Sequence, residues 1–364
     1  DLTNMETSFI FKEFLERTIN TKKYDFRSQK RFIDNSKREN YLFNSSINGI
    51  EEADLIILIG TNPRFEATMV NARIRKAFVN NNTKIFSLND VGDLTYDYQC
   101  LNGKTKTIKD IFENNDELSK QIIEAKKPIV IFGESFFKVK SANYLFNLSK
   151  EFLNKNNKFS DNWNPLNLLS TDASTVGNLD LGIIDKSNKI LDELHNNEFE
   201  IIFLMGQDNL DFKKKDEFVI YQGSHGDKGA EIADIILPGS AFTEQSGHYT
   251  NLEGKLQKAY KASYPPGDAK EDWQIINDLA EVMNNRKLFN DKNELESSML
   301  NYLKINQDQQ SSEINKINDN DFNDEILQID FKNYYFSNVI ARSSKTMLEC
   351  NNSKIDFKKT GTEG

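Results

Sequence analysis

The stretch EFVIYQGSHGDKGAEIADIILPGSAFTEQSGHYTNLEGKLQKAY, which runs from Glu217 to Tyr260, decides the fold. It opens with a short apolar run, 218–221, that stops at Gly223, and a second run, 233–237, ends at a Pro-Gly pair. Short apolar runs rich in β-branched residues that end at glycine or proline are typical of buried strands. Two such strands with a glycine-rich loop between them predict the carboxyl-end rim of an α/β sheet, where such sheets bind ligands.

The same pattern recurs upstream of this stretch. Other apolar runs end at or just before glycine at 53–60, 128–133 and 201–206. After the first of them, Asn62 suits a helix N-cap and Pro63 the first helical position, so we expect a helix over 64–79 and a strand over 84–88. Apolar runs without alternation indicate parallel strands that are covered on both faces. The sequence therefore predicts an α/β fold of mostly parallel, Rossmann-like sheets with flanking helices.

We divide the chain into four parts. They are an N-terminal helical lead-in over 1–45, an α/β domain over 46–283, a polar and partly helical connector over 284–325, and a C-terminal segment over 326–364 that packs back on the core and ends in a loose tail. The spacing of Asp268 and Glu271 is that of a capping box and predicts the start of the domain's last helix. Its expected inward residues are Trp273, Ile276, Leu279, Ala280 and Met283.

Composition limits the classes of function. The 364 residues carry a net charge of −10, which argues against a nucleic-acid partner, and no apolar run is long enough to cross a bilayer. Two cysteines, Cys100 and Cys350, can form neither a disulfide framework nor a cysteine-ligated cluster, which fits a reducing compartment. The chain begins at Asp1 and not at methionine, so we expect an upstream part, and the first residues do not resemble a transit or signal peptide.

The glycine loop of the opening stretch is the first candidate for chemistry. Gly223, Gly226 and Gly229 lie three residues apart and could cradle a phosphate through backbone N–H groups, although the spacing matches neither common phosphate-binding motif, and a tight loop at a strand end is the favoured interpretation. His225 beside Asp227 could form an acid–base pair or bind a metal. The three histidines lack metal-ligand spacing, which favours a hydrogen-bonded structural role for His225.

Two further patterns are weaker still. Gly133-Glu-Ser135 begins like a nucleophile elbow, but Phe137 stands in place of the second glycine. Four acidic residues surround the predicted rim and could supply paired carboxylates for acid–base work, with a solvated loop face as the simpler interpretation: Asp227, Glu231, Asp234 and Glu244. The residues alone thus predict ligand-site architecture without a catalytic set or a metal site.

Several passages together resemble one known family, the large iron–sulfur subunit of respiratory complex I (the G-type subunit of NADH:ubiquinone oxidoreductase) in its mitochondrial form. The resemblance covers most of the chain, while 284–324 carries no recognisable motif. The passages that carry it are 51–66, 71–76, 221–227, 233–239, Thr243-Glu244, 251–254, 265–273, Tyr335-Phe336 and 340–347.

The resemblance implies a molybdopterin-oxidoreductase-like domain. In relatives that keep the cofactor, strand-end loops hold a pterin dinucleotide, whereas in the complex I subunit the domain is similar to those enzymes but works as a scaffold without it. We therefore expect no cofactor, no catalytic residue and no metal ligand in this chain. The residues that correspond to a vestigial pterin site would be Gly60, Thr61, Asn62, Gly223, His225 and Asp227.

The family's N-terminal portion, with its cysteine clusters for iron–sulfur centres, is absent from this sequence. The chain therefore resembles the C-terminal half alone, either from a split gene or as a fragment, and the clusters are expected in the partner N-terminal half. The implied role is a scaffold in the matrix-side peripheral arm at the mitochondrial inner membrane, without direct membrane insertion, in contact with that half and other peripheral-arm subunits. The alternative is an oxidoreductase subunit that still binds a molybdopterin or a nucleotide.

Overall fold

The computed structural model describes residues 2–308, 321–330 and 333–360. Its strands are β1 (Leu55–Ile59), β2 (Lys84–Ser87), β3 (Gln99–Cys100), β4 (Pro128–Gly133), β5 (Leu166–Leu169), β6 (Ile201–Met205), β7 (Phe218–Gly223), β8 (Ile235–Pro238), β9 (Gly247–Thr250) and β10 (Leu256–Ala259). The helices are α1 (Met5–Arg17), α2 (Pro63–Glu66), α3 (Thr68–Asn81), α4 (Thr105–Phe112), α5 (Glu117–Glu124), α6 (Ala142–Lys155), α7 (Thr175–Asp180), α8 (Lys189–His195), α9 (Lys228–Glu231), α10 (Asp272–Asn284), α11 (Lys292–Asp308), α12 (Val339–Ser343) and α13 (Lys345–Thr360).

The larger sheet is parallel throughout, with strand order β3-β2-β1-β4-β5. Its central strand β1 is buried at every position because helices cover both faces. Leu55, Ile57 and Ile59 face the layer of α4, α5 and α6, while Ile56 and Leu58 face the layer that contains α3. The unbroken apolar run in the sequence follows from this two-sided burial, and the predicted α/β class is confirmed.

The second sheet is smaller and contains the stretch that opened the sequence analysis. Its strands are parallel in the order β6-β7-β8. One face packs on α8 through Leu204, Val219 and Tyr221. The other face meets α1 through Phe11 and Phe203, whose ring centroids lie 4.9 Å apart. Both apolar runs of the opening stretch are therefore strands, as predicted, with the short helix α9 between them.

The predicted N-terminal helix is α1, and it forms the third core of the molecule with α10 and α11. Ile10, Ile276 and Leu295 of these three helices are fully buried. Residues 292–308 of the polar connector are thus helical, with Leu295, Met299 and Leu303 packed in this core, while 309–320 lie outside the described residues. Downstream, Leu327 is buried against the larger sheet, where its N–H donates to the carbonyl of Gly103 at 2.8 Å. The four-part division of the chain stays a prediction.

Three local predictions about helices were wrong. The helix expected over 64–79 is two helices, because Ala67 adopts an extended backbone (φ −151°, ψ 76°) between α2 and α3, although Asn62 is the N-cap as predicted. The capping box before α10 does not form. Glu271 is the N-cap residue but makes no capping bond, since its carboxylate pairs with Lys261 and Lys292. Met283, expected inward, is 51% exposed because it lies on the outer face of α10.

Asparagine takes the place of glycine at many turns. Of the ten non-glycine residues with positive φ among those described, eight are asparagine, including the residues that end α3 and α10. Asparagine tolerates the left-handed region better than other residues with a side chain because its amide hydrogen-bonds locally. The eight are Asn20, Asn82, Asn89, Asn114, Asn157, Asn188, Asn197 and Asn285.

The described helices were also compared with what a bilayer requires. Across residues 2–308, 321–330 and 333–360, none combines the length and the apolar character needed to span one.

Replacing Gly60 by alanine is expected to destabilise the chain more than the same change at Gly92. Both glycines have positive φ (66° and 74°), which costs alanine about 1–2 kcal/mol. A Cβ at Gly60 would in addition lie 2.6 Å from the amide nitrogen of Phe136, whereas a Cβ at Gly92 meets nothing within 4 Å. Overpacking adds about 1–3 kcal/mol. Urea unfolding of both variants measures the difference, and equal losses of stability would show that the Phe136 contact yields without cost.

Candidate functional site

The first candidate site lies where the strand order of the larger sheet reverses, between β1 and β4. In open α/β sheets the crevice outside the strand ends at this point is the usual ligand site. Here backbone fills it. A Cβ on Gly133 would lie 2.3 Å from the carbonyl oxygen of Gly60, and a Cβ on Gly60 would lie 2.9 Å from the Cβ of Phe136. The two strand ends and Phe136 therefore pack directly on one another.

The polar groups that follow β1 point inward. Thr61 and Asn62 are almost fully buried. The hydroxyl of Thr61 and the backbone N–H of Asn62 both donate to one carboxylate oxygen of Glu66, the latter at 3.1 Å. The Asn62 side chain donates to the carbonyl of Val91 at 2.9 Å and accepts from the N–H of Arg64 at 3.1 Å. The donors that could have held a phosphate are thus used within the chain.

Glu66 makes this loop unsuited to an anion. Burial raises the pKa of Glu66 to about 7, against the hydrogen bonds from Thr61 and Asn62, which lower it, and the nearby carboxylate of Glu134 raises it further. Its second carboxylate oxygen has no hydrogen-bond partner among the described residues. Near neutral pH the loop therefore presents a half-ionised buried acid where a phosphate group would need positive charge.

The second candidate site is the loop after β7. A Cβ on Gly223 would lie 2.6 Å from the hydroxyl oxygen of Tyr221, and a Cβ on Gly229 would lie 2.6 Å from a ring carbon of the same tyrosine. The Tyr221 ring therefore fills the space inside the glycine loop. The predicted tight loop is what the structure shows, and glycine is needed at these two positions because of the ring.

His225 and Asp227 have different partners. His225 shares a hydrogen bond of 2.9 Å between its Nδ1 and the hydroxyl of Ser224. Asp227 accepts from the N–H of Lys228 at 2.9 Å and from Nε of Arg342. The acid–base pair considered for these two residues does not form in this structure.

Arg342, which sequence reasoning missed, ties the C-terminal segment to this rim. It lies on α12, and its Nη2 approaches Asp208 at 3.6 Å in addition to the bond with Asp227. Asp208 is buried and accepts from the N–H of Gly229 at 3.1 Å and from the hydroxyl of Tyr221 at 3.3 Å. Burial raises the pKa of Asp208, against these hydrogen bonds. No local pattern signals the pairing, because Arg342 lies more than a hundred residues from both carboxylates.

Two of the three remaining acidic residues of the rim make structural contacts. Asp234 pairs with Lys214 at 2.7 Å and accepts from the N–H of Val219 at 2.7 Å. Glu244 accepts from the N–H of Ala241 at 2.9 Å. These contacts leave the two carboxylates unsuited to the acid–base work considered from the sequence.

The nucleophile-elbow candidate is likewise structural. The hydroxyl of buried Ser135 donates to the carbonyl of Asp330 at 3.2 Å and accepts from its N–H at 2.9 Å. These two bonds hold the C-terminal segment against the end of β4. The free thiols of Cys100 and Cys350 are both exposed.

One cluster of the described residues has the ligand types of a metal site, namely Glu6, His248 and Glu296. Glu6 holds His248 through both carboxylate oxygens, at 2.7 Å to the backbone N–H and 2.6 Å to Nδ1. Glu296 lies 3.8 Å from the opposite ring nitrogen and pairs with Lys258 at 2.7 Å. The two carboxylates thus flank opposite nitrogens of one ring, which suits a polar bridge between α1, β9 and α11 better than a shared metal ion.

The six vestigial pterin-site candidates separate into two groups. Gly60, Thr61 and Asn62 follow β1 of the larger sheet, whereas Gly223, His225 and Asp227 follow β7 of the smaller one. The first group is packed by Phe136 and faces Glu66, and the second is packed by Tyr221 and lies among carboxylates. A pterin dinucleotide carries phosphates that require open N–H donors or cations. The residues present do not fit that group.

Comparison with known proteins gives two family matches. Residues 1–282 match the family model described as molybdopterin oxidoreductase, and residues 294–350 match the model for the C-terminal region of the NADH-ubiquinone oxidoreductase G subunit. The two models meet near the end of α10. The polar connector and the C-terminal segment therefore carry a family signal of their own.

Curated relatives match nearly the whole chain. It is similar to the NADH-ubiquinone oxidoreductase 75 kDa subunit of Reclinomonas americana (35% identity, 96% of this chain, 54% of that protein). It is also similar to the mitochondrial 78 kDa subunit of Candida albicans (37%, 96% and 48%) and to the NADH-quinone oxidoreductase G subunit of Rickettsia bellii (34%, 99% and 53%). The chain thus spans about half the length of these relatives.

The variant Glu66→Gln is expected to remove a pH dependence of stability. Because the pKa of Glu66 is raised from 4.5 to about 7 in the folded chain, the folded state binds the proton more tightly. The contribution of Glu66 to wild-type stability should therefore be largest below pH 4.5 and be lost as the pH rises through 7. The free energy of unfolding of Glu66→Gln minus that of wild type should be about 1–3 kcal/mol larger at pH 8 than at pH 4.

Urea unfolding between pH 4 and pH 8 measures this difference. Glu117→Gln is the control, since that carboxylate is exposed and pairs only with exposed Lys120. A constant difference between Glu66→Gln and wild type across this pH range would show that Glu66 ionises normally.

Proposed function

Because the chain belongs to the molybdopterin oxidoreductase family over residues 1–282 and matches the C-terminal region of the NADH-ubiquinone oxidoreductase G subunit over 294–350, we propose that it is a scaffold subunit of respiratory complex I. Its place is the matrix-side peripheral arm at the mitochondrial inner membrane. There it supports electron transport from NADH to ubiquinone without carrying iron–sulfur clusters. It contacts the cluster-bearing N-terminal half of the same subunit and other subunits of that arm.

The observation that carries this proposal is the closed crevice between β1 and β4. The family's fold places a cofactor at the strand ends. In this chain, Gly60, Gly133 and Phe136 occupy that space. The hydroxyl of Thr61 and the backbone N–H of Asn62 then donate to Glu66. The chain thus keeps the shape of the fold without an open crevice at these strand ends, and shape is the property that a scaffold requires.

The cysteine count supports the separation of roles. A cubane or two-iron cluster is usually held by four cysteine thiolates, and these 364 residues contain two. The two lie on β3 and α13 and are both exposed. The clusters are therefore proposed to reside in the N-terminal half, and this chain to hold that half in place.

Exposed apolar side chains on the smaller sheet support contact with other subunits. Ile201 is 63% exposed and Ile236 is 54% exposed, with Phe218 and Ile235 also on the surface. Strands of a parallel sheet are normally covered on both faces. Ile235 and Ile236 are adjacent in β8 and point to opposite faces, so apolar side chains are exposed on both sides of this sheet edge. Exposed apolar surface that a parallel sheet would normally cover suits contact with other proteins.

The alternative of a retained molybdopterin or nucleotide receives no support from the loop after β1, which is packed by Phe136 and faces Glu66. The loop after β7 borders an open pocket, but Glu244 and Asp268 contribute carboxylates to its lining. Cofactor extraction with metal analysis distinguishes the two functions. The scaffold proposal expects neither molybdenum nor pterin in the purified 364-residue chain. Stoichiometric pterin would replace it with the enzyme alternative.

Substitutions at the strand ends are expected to act through assembly. Gly60→Ala and Gly239→Ala place a Cβ 2.6 Å from the Phe136 nitrogen and 2.3 Å from a carboxylate oxygen of Asp272. Both variants should lower the amount of assembled complex several-fold while the remaining complex keeps its NADH turnover. Native gels with mass spectrometry of the co-migrating proteins, and activity per assembled complex, provide the measurement.

Gly92→Ala is the matched control, because its Cβ would meet no neighbour. It should leave the amount of complex nearly unchanged. Normal amounts of complex with slowed NADH oxidation in Gly60→Ala would contradict the scaffold role. A chain that migrates alone in cells that contain an intact NADH dehydrogenase would contradict it as well.

A further inference from the structure

A small cavity lies at the carboxyl ends of β6 and β7, beneath α12. Its volume is about 70 Å³, which is room for a few water molecules or one ion. Gly206 and Gln222 end the strands on one side, Ser240 and Gln245 approach from the loop after β8, and Asp272 opens α10 on the other. Val339, Ile340 and Arg342 of the C-terminal segment cover it.

Three residues that line the cavity have side-chain oxygens without partners in the part of the chain that the structure describes. Gln222, Gln245 and Ser240 are only 1%, 4% and 5% exposed. The amide oxygens of both glutamines and the hydroxyl of Ser240 have no hydrogen-bond partner among the described residues. Leaving a buried polar atom unpaired costs about 1–3 kcal/mol, so three at one place require an explanation.

The orientation of both amides is fixed by Asp272. Gln222 Nε2 donates to one carboxylate oxygen at 3.0 Å, and Gln245 Nε2 donates to the other at 2.7 Å. An ionised carboxylate only accepts hydrogen bonds, so the NH₂ group of each amide must face it. The two carbonyl oxygens take no part in these bonds, and no described residue pairs with them.

Within the described ranges, Asp272 has no cation beside it. The residue is partly buried, and burial raises its pKa against the hydrogen bonds from the two glutamines. Neighbouring Glu271 has Lys261 and Lys292 as partners, and Asp208 has Arg342. Asp272 receives amide donors but no cation among the described residues, and a bound cation would favour its ionised form.

We propose that this cavity binds a monovalent inorganic cation. Two amide carbonyls, one hydroxyl and one carboxylate are the oxygen donors that hard cations take, and a single positive charge balances the single unpaired carboxylate. A divalent ion would leave excess positive charge, and Mg²⁺ gives up its water reluctantly. The bound ion joins β7, the loop after β8 and α10, and therefore stabilises the corner on which the C-terminal segment rests.

The proposal goes beyond the scaffold function and does not depend on it. Thermal unfolding of the full 364-residue chain in KCl, NaCl and choline chloride at equal ionic strength tests it. The unfolding midpoint should rise by about 1–3 °C with K⁺ or Na⁺ over choline and saturate with concentration, because only a bound ion stabilises in this way. Crystals soaked in Tl⁺ should show an anomalous peak inside the cavity.

Two variants and one control assign the effect to these residues. Ser240→Ala removes an oxygen that has no partner among the described residues, so its midpoint in choline should equal that of wild type while the cation-dependent rise shrinks by half or more. Asp272→Asn removes the charge and should abolish the rise. Ser149→Ala loses a buried bond to the carbonyl of Phe146, at 2.7 Å, and should lower the midpoint equally in all three salts.

Equal midpoints in the three salts together with no Tl⁺ peak would overturn the proposal. Ordered water would then account for the three unpaired oxygens. A cation-dependent rise that survives in Asp272→Asn would place the ion elsewhere and overturn it equally.

Discussion

The close approach of β1 and β4 at their carboxyl ends governs this structure. Gly133 packs against the carbonyl of Gly60 at a distance that only glycine permits, and Phe136 closes what remains of the crevice. Interiors packed to this density transmit such a constraint to their neighbours. The Thr61 hydroxyl and the Asn62 backbone N–H donate to Glu66, and the Asn62 side chain bonds to Val91 and Arg64, so these groups are used within the chain. The crevice between β1 and β4 is thereby filled, which leaves the surface of this sheet and its helices for interactions.

The smaller sheet reaches a similar end by another route. There a side chain, Tyr221, fills the glycine loop, and a distant segment supplies Arg342 to neutralise Asp208 and Asp227. The larger sheet is therefore closed by contacts within one sheet, whereas the smaller one is closed by a segment that the second, C-terminal family model matches. Because α12 covers the rim without filling it, polar space remains between Gln222 and Asp272.

The sequence predicted those features that short stretches encode. Continuous apolar runs ending at glycine identified β1, β4, β6 and β7. Burial on both faces explains the unbroken runs of β1 and β4, whereas β6 and β7 are buried only in part. Asn62 was correctly predicted as a cap, because capping is a matter of adjacent residues. Adjacent residues predicted neither the break at Ala67 nor the missing capping box at Glu271. The capping box does not form because lysines ten and twenty-one residues away hold the Glu271 carboxylate. The ion pairs of Arg342 were not predicted either, because Asp208 and Asp227 lie even farther from it in the sequence.

The asparagines in left-handed conformation have a practical consequence. Each of the eight holds a backbone geometry that glycine adopts without strain, at a cost of a few tenths to about 1 kcal/mol per position. Most of them stand at surface turns, at a distance from the packed cores. Replacing these asparagines by glycine one at a time is therefore expected to raise the thermal stability of the chain, for instance at Asn82 or Asn285, where helices end. Engineering a sturdier form for crystallography can begin there and leave every buried contact as it is.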